Sequence, residues 1–175
     1  MSITTRRGDD GRTDLMYGKR ISKVDPRVEA IGSLDELNAS LGLVRVESGS
    51  DLDQSIDCLQ GHLVGLMGEL AVLPEDNKRY GESGHPSIGK DSVEMLEGLA
   101  GELESGGITF DGWARPGARG NRVGAQLDFA RTICRRAERR VLALGDEVSN
   151  AEIPLFLNRL SDLLWLLARQ LESQS

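Results

Sequence analysis

The stretch Gln126 to Leu144, QLDFARTICRRAERRVLAL, decides how the rest of this 175-residue chain reads. Leu127, Ala130, Cys134, Ala137, Val141 and Leu144 recur at alternating steps of three and four, the spacing that sets one seam of a helix against a core. Arg131, Arg135, Glu138 and Arg139 fall at i, i+4, i+7 and i+8 and make a second stripe along the edge of that seam. Three guanidiniums in line, with one carboxylate among them to hold their geometry, suit a polyanion such as a triphosphate. The alternative is a solvated charged face with i,i+4 pairs, which is the reading given to Arg136 and Arg140.

The bulk properties narrow the classes. The length fits one domain, residues 1–175, with a single core of its own. A net charge of -7 argues against a general nucleic-acid binder, so a local basic stripe carries more weight. Cys58 and Cys134 both occupy mid-helix apolar positions and form no CxxC, which indicates neither a disulfide framework nor a zinc site and fits a reducing compartment. No apolar run reaches membrane-spanning length, and MSITTRRGDDGRTD lacks the apolar stretch of a signal peptide. The expected setting is cytoplasmic, with no membrane and no nucleic acid as partner.

Outward from the arginine stretch, the pattern predicts an all-α chain. Residues 1–24 are polar, glycine-punctuated and basic, and are expected to form an irregular arm. Within them Gly8-Asp9-Asp10-Gly11, followed by Arg12 and Thr13, either presents N–H groups, a hydroxyl and cations to phosphate or is a tight turn in a flexible tail. There is no G-K-[ST], so it is not a Walker A loop. Asp25-Pro26 is a helix start, and the helix it opens runs to about Glu47 with Asp35 and Asn38 on one side. A leucine-rich helix follows from about Leu52 to Leu73, and its His62 reads as a half-buried imidazole rather than a metal ligand.

Pro74 to Lys90 reads as a loop, and Glu82-x-x-His85 within it lacks the helix a di-iron motif needs. A short helix covers about Asp91 to Glu104. The connection Ser105–Asn121 spends Ile108, Phe110 and Trp113, which either close over a ligand or plug the end of the bundle. After the arginine helix, Ser149 or Asn150 caps a last helix, about Ala151 to Glu172, that is apolar almost all round and therefore central or covered by a partner subunit. Its polar island, Asn158, Ser161 and Asp162, bonds internally and to a neighbouring helix or meets a ligand. Five helices in a mostly up-and-down bundle over residues 25–175 is the economical architecture.

Three blocks together resemble the PduO-type ATP:cob(I)alamin adenosyltransferases: Arg6 to Gly42 with GDDGRT and DPRVEA…DELN, the loop WARPG with ARTICRRAERRVLAL, and FLNRLSDLLWLLAR from Phe156 to Arg169. The resemblance implies a helical homotrimer with ATP in the cleft between subunits and the corrinoid beside it. It implies that Thr5, Arg6, Gly8, Asp9, Gly11, Thr13 and Lys23 wrap the triphosphate, with Mg²⁺ held through the phosphates and not by a metal-ligand set of the protein. Arg135, Glu138, Arg139 and Asn158 would hold ATP from the helices. Arg131 would pair with Asp35 of the neighbouring subunit on the corrinoid side.

In such chemistry Co(I) of the reduced corrinoid attacks the 5′ carbon of ATP, so the protein supplies alignment and charge neutralisation rather than a nucleophile. Trp113 aligns with the aromatic residue that displaces the lower axial ligand of cobalt. The sequence departs from the family pattern at Trp113, where Phe is usual, and at Arg7 and Arg12, where hydroxyls are usual. Asp128 stands where His is common, and the Pro116–Gly124 loop is about two residues longer. The resemblance also implies a handover partner, a B12-dependent enzyme or a reductase. A weakly catalytic nucleotide or adenosylcobalamin carrier or sensor of the same fold is the alternative.

Overall fold

The computed structural model describes residues 4, 6–108 and 113–173. Thr5 and Phe110, both singled out above, lie outside the described residues. The chain is mostly helical: α1 (Pro26–Ser48), α2 (Ser50–Leu70), α3 (Asn77–Glu82), α4 (Lys90–Ser105), α5 (Arg122–Leu142) and α6 (Glu152–Ser173). The five long helices pack round one core, with α5 between α1 and α6 and α6 also against α4.

The apolar spacing explains the packing. Leu34, Leu37, Leu41 and Val44 of α1, Leu59, Leu63 and Leu66 of α2, and Leu127, Cys134, Ala137 and Val141 of α5 are buried in one cluster. Each large aliphatic side chain so buried contributes roughly 1.5–3 kcal/mol. Helix α6 is covered on most sides, with Phe156, Leu157, Leu160, Leu163, Leu164 and Ala168 all in the core. Asp25 caps α1 by accepting from Arg27 N at 2.8 Å with Pro26 in the first turn, and Asn150 Oδ1 accepts from Glu152 N where α6 begins. Burial pushes the Cys134 thiol well above the usual range, so it behaves as a small apolar side chain.

Three expectations are corrected. The arm contains an antiparallel hairpin, β1 (Arg12–Asp14) with β2 (Arg20–Ser22), in the register Arg12↔Ser22 and Asp14↔Arg20. No alternating apolar pattern announces it, because long-range tethers hold it in place of a buried face. Met16 N donates to Ala71 O, Lys19 pairs with Glu75 at 3.0 Å, and the Arg79 guanidinium lies over the Tyr17 ring. The Pro74–Lys90 segment contains α3, whose Tyr80 is buried and donates to Pro86 O at 2.7 Å. Arg136 and Arg140 are not simply solvated: they pair with Glu36 and Glu29 of α1.

Sequence position gives no hint of the burial of Arg27, which is 1 % exposed although it sits in the first turn of α1. Its Nη1 donates to Leu70 O and Val72 O, and its Nη2 to Glu147 O and Oε2, so one guanidinium satisfies orphan carbonyls at and just past the end of α2 and ties in the turn before α6. Glu147 is exposed, so its charge adds little and the buried carbonyls carry the contact. Arg27→Ala should lower unfolding free energy by about 3 kcal/mol, read from urea denaturation, because it strands those carbonyls and opens a cavity.

Candidate functional site

Helix α5 crosses α1 antiparallel, as the pairs Arg122–Glu47, Arg136–Glu36 and Arg140–Glu29 require. These pairs neutralise the α1 side of α5. On the neighbouring face Arg135 and Arg139 are exposed, and among the described residues neither has a carboxylate in salt-bridge range. Arg139 Nη1 is steadied by Arg135 O at 3.1 Å. Glu138, one turn from Arg135, accepts from Asn158 Nδ2 of α6 at 3.3 Å. Asn158 Oδ1 in turn accepts from Arg159 Nη1, and Arg159 Nε donates to Glu97 of α4 at 2.8 Å.

The result is a row from α5 across α6 to α4 in which the polar side chains hold one another and two guanidiniums are left for an external anion. The polar island divides accordingly. Ser161 is buried and donates to Asn158 O, Asn158 reaches Glu138, and Asp162 is exposed.

The arm presents a second cationic surface. Arg6 has φ 60, in the left-handed region, and two successive turns follow, with Asp9 N donating to Arg6 O and Gly11 N to Gly8 O. Gly11 takes φ 77, which suits a residue without Cβ, and its carbonyl accepts from Lys23 N at 2.8 Å. Arg20 clamps this loop by donating to Arg7 O and by pairing with Asp10 and Asp14. The Arg12 backbone N–H, with Arg20 beside it, holds the Asp10 carboxyl below its ordinary value. Arg6 and Lys23 have no carboxylate partner among the described residues, and Lys23 Nζ lies against Gly8. Thr13 sits in β1, facing Ile21 across the hairpin.

These two surfaces do not meet within one chain. Among the described residues, no hydrogen bond or ion pair joins residues 6–24 to Arg135, Glu138, Arg139 or Asn158. Asp35 is exposed on α1, and Arg131 is half-buried with its Nε on Asp128 Oδ1 at 3.3 Å. Trp113 is 90 % exposed, so it does not plug the end of the bundle. Ile108 and Asp162, already singled out, are joined by residues that the sequence did not point to, Trp165, Gly101 and Arg159, in lining a groove of about 450 Å³ between α4 and α6. The i,i+3 acid–base spacings Asp128–Arg131 and Arg169–Glu172 were visible, but nothing local joined them to each other or to that groove.

A family model described as cobalamin adenosyltransferase matches residues 3–171. The corrinoid adenosyltransferase PduO of Salmonella typhimurium is 36 % identical over 180 residues, covering 100 % of this chain and 51 % of its own. The cobalamin adenosyltransferase of Cupriavidus metallidurans is 36 % identical over 172 residues, covering 97 % of this chain and 87 % of its own. The chain spans about half the length of the Salmonella protein and of the PduO of Citrobacter freundii.

A variant PduO-type ATP:corrinoid adenosyltransferase from Lactobacillus reuteri, complexed with ATP, superposes with TM-score 0.84 at 28 % identity, covering 98 % of this chain and 94 % of that one. Another variant of that enzyme, complexed with cobalamin and ATP, also has TM-score 0.84 at 28 % identity, covering 96 % of this chain and 92 % of that one.

The arginines of α5 thus fall into two kinds. Arg135→Ala removes no partner within the chain and should leave unfolding free energy within about 0.5 kcal/mol of the parent. Arg140→Ala loses Glu29 and the Ser33 hydroxyl and should cost about 1 kcal/mol, both values taken from denaturant titrations.

Proposed function

The chain belongs to the cobalamin adenosyltransferase family, and from that premise we propose that it transfers the 5′-deoxyadenosyl group of ATP to the cobalt of cob(I)alamin, releasing adenosylcobalamin and triphosphate. The observation that carries the reading is the pair Arg135 and Arg139. They are exposed guanidiniums without a carboxylate partner among the described residues, beside a Glu138–Asn158 hydrogen bond, on a helix whose other face is neutralised by α1.

Triphosphate is a leaving group that gains charge as the carbon–oxygen bond breaks, and two such arginines stabilise it more as that charge develops. In the same reading Thr5, Arg6, Gly8, Asp9, Gly11, Thr13 and Lys23 close round the phosphates from the arm. The hairpin and its Arg20 clamp hold that arm in shape before ATP arrives. Mg²⁺ would be held mainly through phosphate oxygens, the way that ion is usually bound beside a nucleotide. When bound, Mg²⁺ supplies charge neutralisation of the triphosphate. Asn158, its amide fixed on both sides by Glu138 and Arg159, orients the nucleotide.

The protein acts here as a homotrimer with ATP between subunits, so that the arm of one chain faces α5 of the next. Two features support this: the two cationic surfaces are not joined within a chain, and Leu43, Val46, Phe129 and Leu142 stand exposed on α1 and α5, where another copy would cover them. Asp35 of one subunit then meets Arg131 of its neighbour. The corrinoid would lie on the side of Trp113 and the Trp165 groove, where the exposed indole of Trp113 would pack against it as an apolar surface and favour reduction of its cobalt. The two free thiols, on separate helices, suit a reducing cytoplasm.

Anaerobic mixing of the protein with cob(I)alamin and MgATP should give the absorption spectrum of adenosylcobalamin together with triphosphate; tight binding of both substrates without a cobalt–carbon bond would refute the reading. Arg135→Ala should weaken MgATP binding by roughly 10- to 100-fold in calorimetry, the scale of a hydrogen bond to a charged group. Trp113→Ala should leave ATP affinity within about two-fold and impair the reaction started from Co(II).

A further inference from the structure

Where the start of α5 meets the end of α6, four charged side chains are drawn together and three of them are buried: Asp128, Arg169 and Glu172. Gly124 permits the approach, since a Cβ there would lie 3.3 Å from both Ala168 O and Glu172 Cγ. Asn121 caps α5 at Gly124 N and donates to Leu171 O, so the two helix ends are stitched by backbone as well. Asp128 is 2 % exposed and uses its two oxygens differently. Oδ2 accepts from Arg169 Nη2 at 2.5 Å, and Oδ1 accepts from Arg131 Nε at 3.3 Å. Arg169 also pairs with Glu172 at 3.2 Å, and its guanidinium carbon lies 5.5 Å from the centre of the Trp165 ring.

Buried ion clusters seldom stabilise a fold more than apolar side chains of the same volume, so stability alone does not account for this one. Its two outward ends are informative. Arg131 is held through Nε, and among the described residues neither terminal nitrogen of its guanidinium makes a hydrogen bond or ion pair. Trp165 is a wall of the groove between α4 and α6.

We propose that Asp128 is a positioning residue for the corrinoid side of the site, setting Arg131 through one oxygen and Trp165, by way of Arg169, through the other. The proposal rests on the adenosyl-transfer reading above. A carboxylate is suited to this place because it accepts from two guanidiniums at once and balances the buried charge of Arg169. The neutral isostere Asn accepts through one oxygen only, and its NH₂ faces a cation.

The test is steady-state kinetics of the full chain under anaerobic conditions. Asp128→Asn should raise KM for cob(I)alamin roughly ten-fold while KM for ATP stays within about two-fold. Arg131→Ala should raise the corrinoid KM as well, and the double variant should rise by less than the product of the two single-variant factors, because only the Trp165 share of the Asp128 effect is left to lose. Additive losses, or a corrinoid KM in Asp128→Asn equal to the parent's, overturn the proposal.

Should Asp128→Asn fail to fold, Asp128→Asn with Arg169→Met removes the unbalanced buried charge, and the same corrinoid KM rise is expected; a parental value overturns the proposal. In a Trp113→Phe background Trp165 is the sole tryptophan. Acrylamide should then quench its emission more strongly once Asp128→Asn is added, and unchanged quenching overturns the link through Arg169. A parent that makes no adenosylcobalamin refutes the adenosyl-transfer reading, while the quenching comparison still reads the Asp128–Arg169–Trp165 link by itself.

Discussion

The antiparallel crossing of α5 on α1 sets the positions of the other parts. Its ion pairs, Arg122–Glu47, Arg136–Glu36 and Arg140–Glu29, are each partly solvated and worth roughly 0.2–1 kcal/mol, far less than the burial of Leu34, Leu37, Leu41, Leu127 and Val141 beneath them. Burial therefore holds the helices together, and the ion pairs select the register. With that register set, the carboxylates of α1 neutralise one side of α5. Arg135 and Arg139 remain on the other, exposed and, among the described residues, without a carboxylate partner.

A second anchor governs the arm. Arg27 gathers carbonyls from the end of α2 and from the turn before α6 round one buried guanidinium, and so fixes the end of the bundle on which the hairpin rests. Met16, Lys19 and Tyr17 then fasten the hairpin to Ala71, Glu75 and Arg79. A segment too polar to bury a core of its own acquires a defined shape by borrowing the end of another element. Under the proposed function that shape is an advantage, since a loop ordered before its ligand arrives loses less entropy on binding.

The two ends of α5 carry different chemistry. Its C-terminal half carries two exposed guanidiniums, while its N-terminal half packs against α6 at Gly124 and holds the buried Asp128. Arg131 stands between them, half-buried, with its Nε directed back to Asp128. The tryptophans follow the same division. Trp113 is exposed on a connection, whereas Trp165 is half-buried over a groove with Arg169 behind it.

The long helices were legible in the sequence because their apolar residues recur at 3.6-residue spacing over many turns, and the Asp25-Pro26 and Asn150 caps are local signals. The stripe Arg131, Arg135, Glu138 and Arg139 was legible for the same reason, since a helix converts spacing into a shared face. Spacing could not tell which arginines would be neutralised: Arg136 and Arg140 look like Arg135 and Arg139 until α1 brings Glu36 and Glu29 to them.

The hairpin was equally hidden, as its tethers join residues more than fifty positions apart. So were the burial of Arg27 and the joining of Asp128 to Arg169. Periodicity is a property of one helix and is written in one stretch of chain. The partner of a charge is a property of two helices, and only their packing decides it.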